Sequence, residues 1–247
     1  MLSALRGSSG YYGLRQKVSD VNQALMLIGF GRIYQLIIAE GLQRTMPNTP
    51  SFNALQSHSV AISHIAFGLS QTSRTGHPSE MATIGLLHDL GRGVILLLKK
   101  QNPSLGILID SLDHARLGAL LLKEWGMPDI LTRSLEFQSY PELLPPDMIH
   151  MEIRNNVVIL YLAHLCFNLL KGKSEHTLPD IFRVEYMRLF GWEQLDLSQI
   201  VRKHLLPTLT KRIEAYPIAF RKLLKEYIVQ EYSREPGRSR GNQSETP

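Results

Sequence analysis

Apolar residues recur at intervals of three and four along almost the whole of this 247-residue chain, and no stretch alternates apolar with polar residues between hairpin turns. A helix returns a side chain to the same face after about 3.6 residues, a strand after about two. The pattern therefore points to an all-α, multi-helix fold. It predicts helices over 19–28, 30–43, 52–73, 79–100, 113–124, 128–138, 150–171, 179–190, 197–205 and 207–233. Punctuation supports the cuts. Pro47 and Pro50 precede Ser51 as an N-cap, Gly76 to Ser79 separates two helices, and Gly126 with Pro128 ends one helix and starts the next. The last segment, 236–247, holds no core-forming residue and is expected to be disordered.

The charges narrow the partners. The chain carries 27 basic and 22 acidic side chains, but residues 1–198 hold seventeen of each, so the excess of +5 lies entirely beyond them. Ahead of residue 199 there is no basic stripe interleaved with aromatics, which argues against a nucleic-acid reader. The basic groups of 207–233 are interleaved with Ile213, Ile218, Phe220, Leu223, Leu224, Tyr227 and Ile228, the pattern of an amphipathic helix with one solvated face. A single cysteine, Cys166, excludes an intramolecular disulfide and a cysteine zinc cluster, and fits a reducing, cytoplasmic compartment. The longest apolar run, Val157 to Leu170, is interrupted by His164 and Asn168 and falls short of the roughly 20 residues that span a bilayer. No membrane span and no leader segment are expected.

The histidines carry the chemistry. Leu55, His58, Ile62, Ile65 and Leu69 share one helical face, so His58 lies on an inward stripe. Met81, Ile84, His88 and Ile95 do the same on the next helix, and Asp89 points about 100° away, near enough to flank the same small volume. Gly85, Gly91 and Gly93 around the pair admit close approach of another helix or a ligand. His114 opens a helix beside Leu117 and Leu121, and His164 shares a face with Val157, Tyr161 and Asn168. An inward histidine is ordinarily a hydrogen-bonded core residue. The adjacent His88-Asp89 pair asks for more, because a buried carboxylate is costly unless a cation or several donors meet it. A metal ion or a hydrogen-bond network would serve.

Four stretches in order resemble the HDOD domain, an output domain of bacterial signalling proteins related to the HD and HD-GYP phosphohydrolases. They are Ser8-Ser9-Gly10-Tyr11-Tyr12-Gly13, then Val21 to Gly29 with the apolar helix Ile33 to Ala39, then His58-Ser59-Val60-Ala61 with Gly85-Leu86-Leu87-His88-Asp89-Leu90-Gly91. The fourth is Asp113 to Leu121 followed by Trp125-Gly126-Met127-Pro128. The resemblance implies a helical bundle in three parts: a remnant of the N-terminal subdomain over 1–50, an HD-like core over 51–235, and the tail. The family has helices ahead of the first turn, and this chain starts almost on it, so the expectation is a fragment, a shortened reading frame, or a domain whose N-terminal face is covered by a partner or by self-association. HD hydrolases hold metal with a histidine, a His-Asp pair and a final Asp, whereas here His164 stands where the final Asp is expected. His114 matches a further HD-GYP histidine, but Phe137-Gln138 replaces the pair that would complete a second metal.

What the resemblance implies is a non-catalytic regulatory module that reports a signal by binding a signalling protein or a small ligand, with no cofactor needed. The alternative is a mononuclear phosphohydrolase for a nucleotide or cyclic dinucleotide. In it His58, His88, Asp89 and His164 would ligate one divalent transition metal, and His114 or Arg92 would contact phosphate. A third reading is a partner-binding scaffold with no ligand pocket.

Overall fold

The computed structural model describes residues 47–73, 77–178 and 181–234. The helices expected over 19–28 and 30–43, the tail, and the N-terminal part up to residue 46 lie outside the described residues. Among the described residues every regular element is a helix, as the apolar spacing requires.

Helix α1 spans Pro50–Ser73 and buries Ile62, Ile65 and Leu69 completely against α2 (Pro78–Leu87) and α7 (Met151–Leu170). Between α2 and α7 run α3 (Leu90–Gln101), the short α4 (Gly106–Asp110), α5 (His114–Glu124) and α6 (Asp129–Glu136). Helix α7 is the axis of the molecule. Every residue from Val157 to Ala163 is buried, so it is apolar on all sides and packs on α1, α2 and α6 at once. Burying each such large side chain contributes about 1.5–3 kcal/mol relative to exposure, which fixes α7 at the centre. Helix α5 starts where Asp113 accepts from the N–H groups of Ala115 and Arg116 at 2.9 and 3.2 Å. It gives way to a turn at Gly126, whose φ of 67° favours glycine.

The C-terminal part is more broken than the spacing suggests. Helix α8 (Arg183–Arg188) is shorter than the expected 179–190. Helix α9 (Leu197–Ile200) begins with a capping box between Asp196 and Gln199, widens into a π-turn over Val201–Leu205, and continues as α10 (Leu206–Thr210). Pro207 supplies no N–H there, and the wider turn accommodates the missing bond. The expected helix over 207–233 is interrupted at Lys211–Pro217, because Pro217 cannot continue a ladder, and α11 (Ile218–Arg234) starts after it. Arg221 and Lys225 on α11 reach back to Glu214 at 2.5 and 3.0 Å, so part of the terminal positive charge is met within the chain.

One departure positions the site. The expected helix 79–100 turns at His88 and Asp89, where the backbone of Asp89 takes φ −99° and ψ 14°. The halves follow different partners. A Cβ on Gly85 would lie 2.8 Å from the Ser63 Cα of α1, and one on Gly91 would lie 1.9 Å from the His114 carbonyl oxygen of α5. Backbone meets backbone at both contacts, and the chain bends between them. Pro78–Gln101 and Met151–Leu170 are apolar enough to cross a membrane by length and composition, but 67% and 72% of their apolar windows are buried inside the bundle.

Candidate metal centre

Two helices and one turn deliver the histidines to a common point. His58 comes from α1, His88 from the turn just after α2 with Asp89 beside it, and His164 from the middle of α7. The ligand-capable nitrogens of His58, His88 and His164 all lie within 4.8 Å of one another. His88 Nε2 is 3.1 Å from His164 Nε2 and 3.3 Å from Asp89 Oδ2, and His58 Nε2 is 3.7 Å from the same Oδ2.

The protons on the rings can be assigned by elimination. His88 Nδ1 lies 2.8 Å from the Gly85 carbonyl and His164 Nδ1 lies 2.9 Å from the Leu160 carbonyl. A carbonyl only accepts, so both Nδ1 atoms carry the N–H. With each Nδ1 so occupied, the two rings face each other through Nε2 across 3.1 Å. That contact is repulsive unless a cation, either a proton or a metal ion, stands between them. Anchoring Nδ1–H on a carbonyl is also how a metal-binding histidine is oriented and made more basic.

The surroundings disfavour extra protons. Burial, with the charges of His88, Arg92 and Lys171, takes His58 down to about 4 against the pull of Asp89. Burial and His88 take His164 down to about 3. Burial alone would raise Asp89, but the hydrogen bond and charge of His88, with Arg92 and His58, bring its carboxyl well below the usual range. Arg92 Nε sits 2.8 Å from Oδ1, leaving Oδ2 facing the histidines. His58 and His164 are thus held neutral beside an ionised carboxylate, protonation states that a metal requires. Four ligand atoms at roughly 2.0–2.1 Å from one ion lie about 3.3 Å from their neighbours. The separations of 3.1, 3.3 and 3.7 Å come close to that, with the three histidines grouped within 4.8 Å and Asp89 beside His58 and His88. Imidazoles with one carboxylate suit zinc, iron, nickel or cobalt rather than magnesium or calcium.

The residues expected at the site fall into two groups. His58, His88, Asp89 and His164 are brought together. Arg92, expected at a phosphate, holds Asp89, with more than half of its side chain exposed. His114 is half-buried at the start of α5, and burial, then Arg92, lowers its pKa; its carbonyl is pressed against Gly91. Sequence reasoning missed Phe167, whose ring meets His58 edge-on at 4.9 Å, and Lys171, which lies over that ring at 5.5 Å. It also missed Gln138, whose Nε2 donates to the His88 carbonyl at 3.0 Å. The i+3 spacing of Phe167 from His164 was a usable signal, and Gln138 stood where the HD-GYP pair was expected, though nothing there pointed to the His88 carbonyl. His64 packs against Tyr216 at 4.5 Å. His204 stacks on Trp192 at 5.2 Å.

The family profile of the HDOD domain matches residues 6–141, more than half of the chain, including His58, the His88-Asp89 turn and the start of α5. The chain belongs to the HDOD family. The same fold occurs in an HDOD domain protein of unknown function from Geobacter sulfurreducens, 16% identical, with a TM-score of 0.60 over 92% of this chain and 80% of that one. It occurs too in a candidate phosphohydrolase from Shewanella amazonensis SB2B, 19% identical, with a TM-score of 0.56 over 90% and 83%. An uncharacterized protein of Treponema pallidum (strain Nichols) is 24% identical over 149 residues. That match takes in 53% of this HDOD chain but only 29% of the spirochaete protein. At these identities the solved structures speak for the fold alone.

Proposed function

We propose that this HDOD chain is a non-catalytic regulatory module of bacterial signalling, in which His58, His88, Asp89 and His164 hold one divalent transition metal that ties two helices and a turn together. The observation that carries the reading is the 3.1 Å approach of two Nε2 atoms whose rings are both anchored through Nδ1. A bound ion would supply Lewis acidity and a cross-link between α1, α7 and the α2–α3 turn. Within the chain, the carbonyls of Gly85 and Leu160 orient the rings, Arg92 orients the carboxylate, and Phe167 covers one side of His58. A metal that links elements in this way makes their arrangement responsive to a protein or small ligand that pulls on any one of them.

Several features favour regulation over hydrolysis. His164 supplies no negative charge where an HD hydrolase has its final Asp, and Phe137-Gln138 supplies no ligand for a second ion. Arg92 is engaged by Asp89 rather than held apart for phosphate. The remaining carboxylate is itself in the ligand set, so no separate general base stands among the histidines. The mononuclear phosphohydrolase stays the second reading, favoured by the part-exposed edge of His58, through which a water or phosphate could reach the ligand set.

Metal analysis of the purified full chain tests the proposal. Near-stoichiometric zinc, iron, nickel or cobalt that is lost on His88→Ala is the expected result. Metal content no higher in the wild type than in His88→Ala refutes the metal centre. Turnover of nucleotide monoesters or cyclic dinucleotides by the loaded wild type, absent in His88→Ala, refutes the non-catalytic part and establishes the second reading.

A further inference from the structure

We infer that Gln138 is a positioning residue for the centre, an inference that rests on the metal-binding reading above. The carbonyl that its Nε2 meets at 3.0 Å belongs to the peptide joining His88 to Asp89. The direction of that carbonyl sets the plane from which both ligand side chains leave. Rotating the peptide would change the 3.3 Å spacing of His88 Nε2 and Asp89 Oδ2 and the aim of both groups at His164.

The peptide needs such a tie. It sits in the bend between α2 and α3, and Gly85 and Gly91 on either side bring no side chain to wedge it. Gln138 arrives from 50 residues further along the chain. It follows directly on α6, whose end is closed by Phe137 N–H to Arg133 O at 3.1 Å and Gln138 N–H to Leu135 O at 3.3 Å. Helix α6 anchors Leu131 and Leu135 in the core and packs on α7, the helix that carries His164. The carboxamide therefore links the turn holding two ligands to the frame holding a third. A side chain of the same size without the N–H donor would fill the space and lose the link.

Cobalt(II) is the probe, titrated into chelator-treated full chain and followed by its visible spectrum in the wild type, Gln138→Ala and Gln138→Met. Both variants should bind cobalt roughly 10–100-fold more weakly than the wild type, with shifted ligand-field bands, because only the donor is common to what they lose. If Gln138→Met binds cobalt as the wild type does, the side chain acts by packing and the inference is overturned. A second measurement is independent of metal: the ring 15N shifts of His88 and His164 in metal-free protein. They should move in Gln138→Met, and unchanged shifts overturn the inference. Failure of the wild type to take up cobalt would refute the metal reading alone, with the ring shifts still deciding the role of Gln138.

Discussion

The metal-free centre should make the fold acid-sensitive in a window set by two histidines. His58 at about 4 and His164 at about 3 are both depressed from an ordinary value of 6.5. Between those values and 6.5 the unfolded chain binds protons that the folded site rejects, so stability rises with pH there. The folded state is at full strength above 6.5 and weakens as pH falls toward 4. One histidine depressed this far loses about 2 kcal/mol on going to about pH 5. The two are coupled through His88, so together they lose less than twice that, about 2–3 kcal/mol. Asp89 has the same sign, but its contribution is present above the ordinary carboxyl value and is lost only below it, outside this interval. For a chain of this size the loss corresponds to a melting temperature lower by roughly 5–10 °C. Chelator-treated protein unfolded in urea at about pH 8 and about pH 5 gives the slope. The double variant His58→Phe with His164→Leu should flatten it. Equal stability at the two pH values in the wild type, or an undiminished slope in the double variant, would refute the account of the buried rings.

Two further outcomes probe the frame around the site. Gly91→Ala puts a Cβ 1.9 Å from the His114 carbonyl oxygen and 2.8 Å from Gly118 N, both main-chain atoms, so α3 and α5 must separate. The expected cost is about 3 kcal/mol or more in urea unfolding, whereas Gly106→Ala, with nothing within 4 Å, should change stability by less than about 0.5 kcal/mol. Burial raises the Cys166 thiol far above its usual range, with Glu175 adding to the shift. It should resist a thiol reagent in native buffer and react fully in urea; rapid native labelling would contradict its complete burial.

Much of the fold was legible because amphipathic spacing is a local property. Of the face shared by Leu55, His58, Ile62 and Leu69, Ile62 and Leu69 are buried as expected while Leu55 and His58 stay part-exposed, and the apolar run around His164 is the central helix. The broken elements were not legible. The spacing of Met81, Ile84, His88 and Ile95 suits one straight helix, and nothing in it records that Gly85 rests on α1 while Gly91 rests on α5. Pro217 within 207–233 was a visible breaker that the apolar period concealed. For the site, the residue types pointed to a set of ligands but not to their distances or to who holds whom. The types did not show that Arg92, read as a phosphate contact, also lies on Asp89.

By itself the sequence determined the all-α class, the inward placement of the histidines and the HDOD membership, because each depends on spacing and order along the chain. Only the tertiary structure decided that His58, His88 and His164 meet within 4.8 Å, that two Nε2 atoms face each other at 3.1 Å, and that Gln138 holds the peptide between two of the ligands. Those relations join residues up to 106 positions apart, and the packing of α7 against its neighbours, rather than any local preference, sets their separations.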